Sequence, residues 1–294
     1  MKGFLAALIV LVLIGGEARA ETIRLLMENV PDTRYIEELL PKFEAETDID
    51  VELEVISYID MHSKLVPQLI APQGSYDAIV VDFYWAGEFT RAGWLLPLDD
   101  LVARDGFDTS VYVPRLLELV GRVDGVFYML PFNNYSMAII YRQDFIEDPV
   151  EQAAFKAKYG IDLRVPVTWD EYWKQVEFFS RDTTGNGKLD RFGIVIQGQR
   201  GDCISMQWSN FLFGQGGSYN DSNLNPTLNS PAGIAAMQAY REAIEKFSPA
   251  GSESFCFDEA FNVMAQGKAY SLQTFTFLFG DFGDPSCWKV VGKV

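Results

Sequence analysis

An α/β fold, a parallel sheet with helices wound on both of its faces, is what the sequence predicts, and three observations predict it. Strand-like alternation and helical periodicity take turns as β-α-β-α-β-α between Thr22 and Gly93. Ala78–Val81 is a continuous apolar run of the kind buried in parallel sheets. Polar and aromatic residues, Glu28-Asn29 and Asp82–Trp85, stand where two of these strands end, and doubly wound sheets hold ligands beyond the carboxyl ends of their strands.

The first twenty residues read as an address rather than as part of the fold. Lys2 is a positive start, Phe4–Ile14 is apolar, and Ala18-Arg19-Ala20 matches a small-x-small cleavage site. The apolar run falls short of the ~20 residues a spanning helix needs. No cysteine follows it, so lipid anchoring is not indicated. The mature chain is expected to begin at Glu21 and to work outside the cytoplasm.

From there, Thr22–Met27 is a strand. A helix capped by Asp32 or Thr33 carries Tyr35, Ile36, Leu39, Leu40 and Phe43, with Pro41 as a potential break. Asp50–Ser57 alternates as a strand, and Asp60 is expected to cap a helix bearing Leu65, Val66, Leu69 and Ile70. After Ala78–Val81 a helix runs to Gly93.

Gly125–Asp144 then reads as strand, kink, strand. Val126–Leu130 alternates, Pro131 interrupts the ladder because it has no N–H to donate, and Met137–Tyr141 resumes it. Two buried strands with Asn133 and Asn134 between them suggest a chain crossing from one body to another. Thr168-Trp169-Asp170-Glu171 is a capping box for a helix through Phe179. Asp182–Asp190 is a polar turn, Phe192–Ile196 a strand, Gln197–Asp202 a loop and Met206–Phe213 a short aromatic helix. Ser230-Pro231 opens a long helix with Ile234, Met237, Tyr240 and Ile244. Asp258–Gln266 is a helix closed by Gly267, and Ala269–Phe279 a strand passing into an aromatic loop.

Length and composition suit about two domains of ~100–200 residues and ample core, with 48% hydrophobic residues among 294. The net charge of −17 argues against nucleic acid and anionic membrane surfaces as partners. An oxidising compartment permits a disulfide among Cys203, Cys256 and Cys287, and the sequence does not choose the pairing.

Five segments in order carry a family resemblance: YDAIVVDFYWAGEFTRAGWLLPLDD (Tyr76–Asp100), LPFNNYSMAIIYRQDF (Leu130–Phe145), TWDEY (Thr168–Tyr172), DTTGNGKLDRFG (Asp182–Gly193) and FNVMAQGKAYSL (Phe261–Leu272). Together they resemble the extracellular solute-binding proteins of bacterial ABC carbohydrate importers, of the maltose-binding-protein-like type. The resemblance implies a two-lobed, type II periplasmic-binding-protein fold, each lobe a doubly wound sheet flanked by helices. It divides the chain into a signal peptide (1–20), an N-terminal lobe (21–131), and a hinge with the C-terminal lobe (132–294). Family members continue beyond a segment like Lys289–Val294 into a second crossing, so the resemblance implies a C-terminally truncated chain with incomplete lobes.

A sugar site needs carboxylates and amides for its hydroxyls and aromatic faces for its rings. Asp82 follows a strand directly and is the best-placed carboxylate, with a helix cap as its alternative role; Asn29, Tyr84 and Trp85 share such strand ends. Asn133 and Asn134 are ligand contacts or turn formers, and Tyr135 joins them in the segment the resemblance places beside the ligand. Trp208, Phe275 and Phe277 stand where the resemblance implies stacking aromatics, each otherwise a core residue, and Thr274–Phe277 lacks the tryptophan common there. Arg200 and Asp202 reach a ligand or pair with each other. Asp182, Thr184, Asn186 and Gly187 fall on calcium-loop positions one, three, five and six, with Asp190 nearby, but position twelve is Gly193 instead of glutamate; the loop reads as a turn without metal.

The function expected is capture of a mono- or oligosaccharide by a monomeric periplasmic protein that delivers it to the transmembrane subunits of an ABC permease, with no cofactor. A non-sugar solute such as a polyol is the alternative. A secreted glycoside hydrolase would need two carboxylates ~5–10 Å apart in a cleft; no catalytic motif is present, and His62 is expected on a helix surface.

Overall fold

The structure, a computed structural model, describes residues 21–71, 74–283 and 289–294. The predicted signal segment and Cys287 lie outside them. The chain divides into two compact units, one ending at Asn134 and the other beginning at Tyr135.

The first unit runs β1 (Glu21–Glu28), α1 (Pro31–Thr47), β2 (Ile49–Ile56), α2 (Tyr58–Ile70), β3 (Ala78–Ile79), α3 (Phe83–Arg91) and α4 (Asp99–Asp105). It continues through the short α5 (Pro114–Leu116) to a hairpin of β4 (Arg122–Val123) and β5 (Val126–Phe127). β1 pairs in parallel with β2 from Glu21↔Ile49 to Glu28↔Ile56, and with β3 at Leu25↔Ala78 and Leu26↔Ile79. The order β2-β1-β3 makes β1 the central strand. Leu26, Met61, Leu65, Trp85 and Phe89 form the core, so the apolar faces of α2 and α3 close over β1.

Several expectations are corrected here. α1 begins at Pro31 and α2 at Tyr58, ahead of the expected caps. Thr33 instead donates its hydroxyl to Glu28 O at 2.5 Å, and Asp60 sits in the first turn of α2, where its charge suits the helix dipole. α1 continues through Pro41. The strand expected as a buried run over Ala78–Val81 is two residues long, with Ala78 exposed, and lies at the edge of the described sheet. Gly93 does end the helix region, in a left-handed conformation (φ 73°) with its N–H on Thr90 O.

The strand expected over Val126–Leu130 stops at Phe127, and Val126 is exposed. Asp124 and Gly125 both take positive φ, 50° and 86°, which makes the two-residue hairpin turn. The N–H groups of Tyr128 and Met129 then turn back to Gly121 O at 2.9 and 3.2 Å, which ends the ladder. A Cβ on Gly121 would stand 2.8 Å from Met129 O, so this approach requires glycine.

The second unit runs β6 (Met137–Tyr141), α6 (Gln143–Glu147), α7 (Pro149–Tyr159), α8 (Trp169–Phe179), β7 (Phe192–Val195), α9 (Asp202–Gly214), α10 (Pro231–Phe247), α11 (Phe257–Ala265), β8 (Ala269–Phe275) and α12 (Leu278–Asp281). Its sheet has the order β6-β8-β7, with β8 antiparallel to β6 and parallel to β7. One face buries Tyr172, Val176, Ile194, Phe211, Leu212 and Tyr240 under α8, α9 and α10. The other buries Ile140, Val195, Leu272 and Met264 under α11.

The local chemistry of this unit follows the sequence closely. Thr168 Oγ1 accepts the Glu171 N–H at 3.2 Å, and the Glu171 carboxylate accepts the Val167 N–H at 2.8 Å. Ser230 caps α10 with Pro231 at its first position. α9 is longer than expected, because the chain turns into the helix at Gly201 (φ 114°) instead of at Met206. β8 ends at Phe275, where Thr276 N–H bonds Ser136 O and the chain enters α12. Cys203 and Cys256 form a disulfide with Cα atoms 5.3 Å apart, tying the first turn of α9 to the start of α11.

Where β7 leaves the sheet, a side chain completes it. Gln207, fully buried on α9, donates Nε2 to Val195 O and Gln273 O at 3.2 and 3.1 Å and accepts the Gln197 N–H at 2.8 Å. The Tyr240 hydroxyl reaches Gln197 O at 3.0 Å. The loop after β7 is thereby fixed, with Gly198 and Gln199 N–H groups held by Ser252 O and Phe255 O.

Candidate functional site

In the first unit the chain leaves β1 for β2 on one side, and β3 lies on the other. In sheets with such a reversal, ligands bind beyond the carboxyl ends of the strands on either side of it, here β1 and β3. Glu28 and Asn29 stand at the end of β1, and Asp82 follows β3 by three residues. Asp82 caps α3, its Oδ1 accepting the Tyr84 N–H at 2.8 Å. Capping and ligand contact are compatible, since a carboxylate has two oxygens and about four acceptor positions. Tyr84 is exposed, with its ring 4.1 Å from that of Phe83.

The sequence places Glu28 at a strand end, with Asn29 and not Glu28 as the expected ligand contact. Glu28 is half-buried, and burial first, then the charge of Asp82, pushes its carboxyl up to about 7. One end of the sheet therefore carries two carboxyl groups close enough for the charge of Asp82 to raise that of Glu28. The signal for Glu28 lay in its place at the end of the first strand, but its value depends on β1 being central.

Trp85 does not stand open beside them. It is 8% exposed, stacked on Tyr58 at 5.7 Å and edge-on to His62 at 5.1 Å, so the structure gives it a packing role in place of the expected ligand contact. His62 is only partly on the surface; its Nε2 lies 2.9 Å from Glu88 Oε2.

In the second unit the carboxyl ends of β7 and β8 and the amino end of β6 share one edge of the sheet. Three candidate aromatics come together there. Tyr135 lies 4.6 Å from Phe277, and Phe277 is stacked on Phe275 at 6.3 Å with an interplanar angle of 17°. Phe257 extends the row at 5.8 Å from Phe275 and is a further member that the sequence did not single out. All four are half-buried. Arg200 is exposed in the loop after β7, and Asp202 is exposed in the first turn of α9. Trp208 is 7% exposed within the core beside Tyr219, a packing position in place of a stacking platform. Asn133, half-buried, and Asn134, exposed, close the first unit in a stretch without regular structure.

The Asp182–Asp190 loop turns its carboxylates onto its own backbone. Asp182 accepts N–H groups from Thr184, Gly185 and Gly187, and Asp190 accepts the N–H and hydroxyl of Thr183. The Gly187 N–H chiefly holds the Asp182 carboxyl below its ordinary range. Thr184 and Asn186 likewise bond within the loop. Among the described residues no group of three His, Cys, Asp or Glu has metal-binding geometry. No described helix is long and apolar enough to cross a membrane. A groove between α8 and α10, lined by Trp173, Lys174, Glu177 and Glu242, contains none of the candidate residues.

The family model for the bacterial extracellular solute-binding protein matches residues 28–284. A probable amino-acid ABC transporter periplasmic-binding protein of Sinorhizobium fredii is 25% identical over 255 residues, covering 86% of this chain and 55% of the relative. The mannitol-binding protein of Pseudomonas aeruginosa is 23% identical, covering 85% of this chain and 53% of its own length. Among solved structures, an ABC transporter solute-binding protein from Agrobacterium radiobacter in complex with ribitol is 25% identical, with a TM-score of 0.79 over 93% of this chain and 65% of that one. The chain thus spans about half the length of the curated relatives. Its α/β fold is that of the type II periplasmic binding proteins, and the chain belongs to the bacterial extracellular solute-binding protein family.

Proposed function

We propose that this chain is the solute-capturing part of an ABC importer, working as a monomer in the periplasm, binding a hydroxylated small molecule and handing it to the transmembrane permease subunits. The observation that carries this reading is the pairing of Glu28 and Asp82 at the carboxyl ends of β1 and β3. Two carboxyl groups at one sheet end offer several acceptor oxygens, and a donor wherever one of them is protonated, to a hydroxyl, which itself both donates and accepts. The row Tyr135–Phe277–Phe275 supplies the apolar faces that a sugar ring or an extended carbon chain requires.

Asn29, Asp82, Tyr84, Asn133, Asn134, Tyr135, Arg200, Asp202, Phe275 and Phe277 remain the proposed contacts, with Glu28 added to them. Trp85 and Trp208 support this set from the cores. Pro131–Asn134 is the proposed hinge, and residues 1–20 the proposed signal peptide. Relatives are named as binding proteins and not as enzymes, and we assign no turnover, cofactor or nucleic acid to this one.

A sugar is the first reading. A polyol is the second, favoured by the mannitol-binding relative and the ribitol-bound structure. A thermal-shift panel of linear polyols, monosaccharides and malto-oligosaccharides separates them. A ligand present at 100 times its dissociation constant raises stability by about 2.7 kcal/mol. A melting shift with one class supports that class, and no shift with any member refutes the proposal.

A further inference from the structure

Arg200, Gly201 and Asp202 form an exposed arch where the loop after β7 turns into α9. One foot of this arch is held by backbone bonds. The N–H groups of Gly198 and Gln199 donate to Ser252 O and Phe255 O, each at 2.9 Å. The other foot is held covalently, because Cys203 is joined to Cys256. Both feet thus stand on one stretch, Ser252–Cys256. That stretch is itself fixed: the Cys256 N–H donates to Glu259 Oε2 at 2.9 Å, and the Cys256 carbonyl accepts the Ala260 N–H at 3.2 Å.

Little besides the disulfide anchors the second foot. Between Gln199 and Met206 only Cys203 is buried. The bonds from Ile204 N–H to Gln199 O at 3.1 Å and from Ser205 N–H to Gly201 O at 3.3 Å close within the arch and its own foot. The buried part of α9 starts at Met206, and the amide of Gln207 ties it to Val195 and Gln197. A segment with so few buried contacts opens locally at low free-energy cost unless it is pinned.

The disulfide also stands among the candidate solute contacts. Cys203 directly follows Asp202, and Cys256 directly precedes Phe257. The Phe257 ring lies 5.8 Å from that of Phe275, which is stacked on Phe277. One covalent bond therefore joins the polar arch to the aromatic row.

We propose, resting on the reading of these residues as solute contacts, that Cys203–Cys256 is a positioning bond of the solute site. It holds Arg200 and Asp202 in a fixed place relative to Phe257 and Phe275, so that the solute does not have to order the arch when it binds. Ordering a loop on binding costs affinity, and a constraint made beforehand removes that cost. This role is separate from the general stabilisation by a disulfide, which acts through the unfolded chain.

Hydrogen exchange and calorimetric titration of the wild type and the Cys203→Ala/Cys256→Ala double variant test the proposal, at a temperature where circular dichroism shows both folded. The amides of Ile204 and Ser205 are expected to exchange roughly tenfold faster or more in the double variant, because their local opening is no longer restrained. If the bond serves global stability alone, these two amides keep their wild-type rates while the core amides of α9 accelerate, and the proposal is overturned. In titrations with D-mannitol and maltose as probes, a probe that binds the wild type is expected to bind the variant about fivefold or more weakly. Equal affinity in the two proteins overturns the proposal. A wild type that binds neither probe counts against solute capture itself, and exchange alone then decides whether the bond pins the arch. Should the variant not fold, the wild type still decides: Ile204 and Ser205 are expected to be protected, and exchange at the rate of an unstructured peptide overturns the proposal.

Discussion

Substituting Glu28 by glutamine removes one titrating group while keeping shape and polarity. In the folded chain burial and Asp82 raise this carboxyl from 4.5 to about 7. At 1.36 kcal/mol per pH unit, that rise corresponds to about 3 kcal/mol of difference between its protonated and ionised forms. The sign follows from where the proton sits. Below pH 4.5 the group is protonated in both folded and unfolded chains and costs nothing. As pH rises toward 7, the unfolded chain ionises freely, whereas the folded chain either keeps its proton or buries a charge beside Asp82. Stability is therefore lost as pH rises through this window, and the loss is complete above it. Glutamine does not titrate, so Glu28→Gln is expected to gain about 3 kcal/mol relative to the wild type between pH 4.5 and pH 8. Urea unfolding of both proteins at several pH values measures the gap, with every other titrating group common to both. A carbon-13 NMR titration of the Glu28 carboxyl reads the same quantity directly. Parallel stability curves, or a carboxyl titrating near 4.5, refute the reasoning.

The Cys203–Cys256 disulfide closes a sequence separation of 53 residues, and on the chain-entropy account it stabilises the folded state by about 4 kcal/mol. Replacing both cysteines by alanine should lower unfolding free energy by that order in denaturant titration, and peptide mapping without reductant should recover the linked pair. Gly193 lies under α8, where an added Cβ would stand 2.0 Å from Val176 O, a backbone atom that cannot swing aside. Gly193→Ala should therefore cost about 3 kcal/mol or prevent folding of the second unit, read by circular dichroism and thermal melting.

Elements whose signals are local were legible in the sequence. Met137–Tyr141 pairs along β8 over the range that its apolar run indicates, and Thr168 and Ser230 cap the helices that their motifs announce. Features set by distant partners were not legible. Val126–Leu130 alternates like a strand, yet Gly121 O captures two of its N–H groups and ends it at Phe127. Trp85 and Trp208 carry the same chemistry as an open platform, and only packing against Tyr58 and Tyr219 reveals them as core. Glu28 gains its character from the strand order β2-β1-β3, which no local pattern encodes. The disulfide pairing and the Gln207 bridge likewise depend on contacts between residues far apart in sequence.

Capture of a hydroxylated solute at the β1–β3 strand ends is tested most directly by isothermal titration of the wild type and Asp82→Ala with the sugar or polyol that gives the largest melting shift. The expected result is a saturable heat with one-site stoichiometry that falls at least tenfold in affinity when Asp82 is removed, since loss of a hydrogen bond to a charged group is worth about 1.5–3 kcal/mol. Binding unchanged in Asp82→Ala, or no saturable heat with any sugar or polyol, would contradict the account.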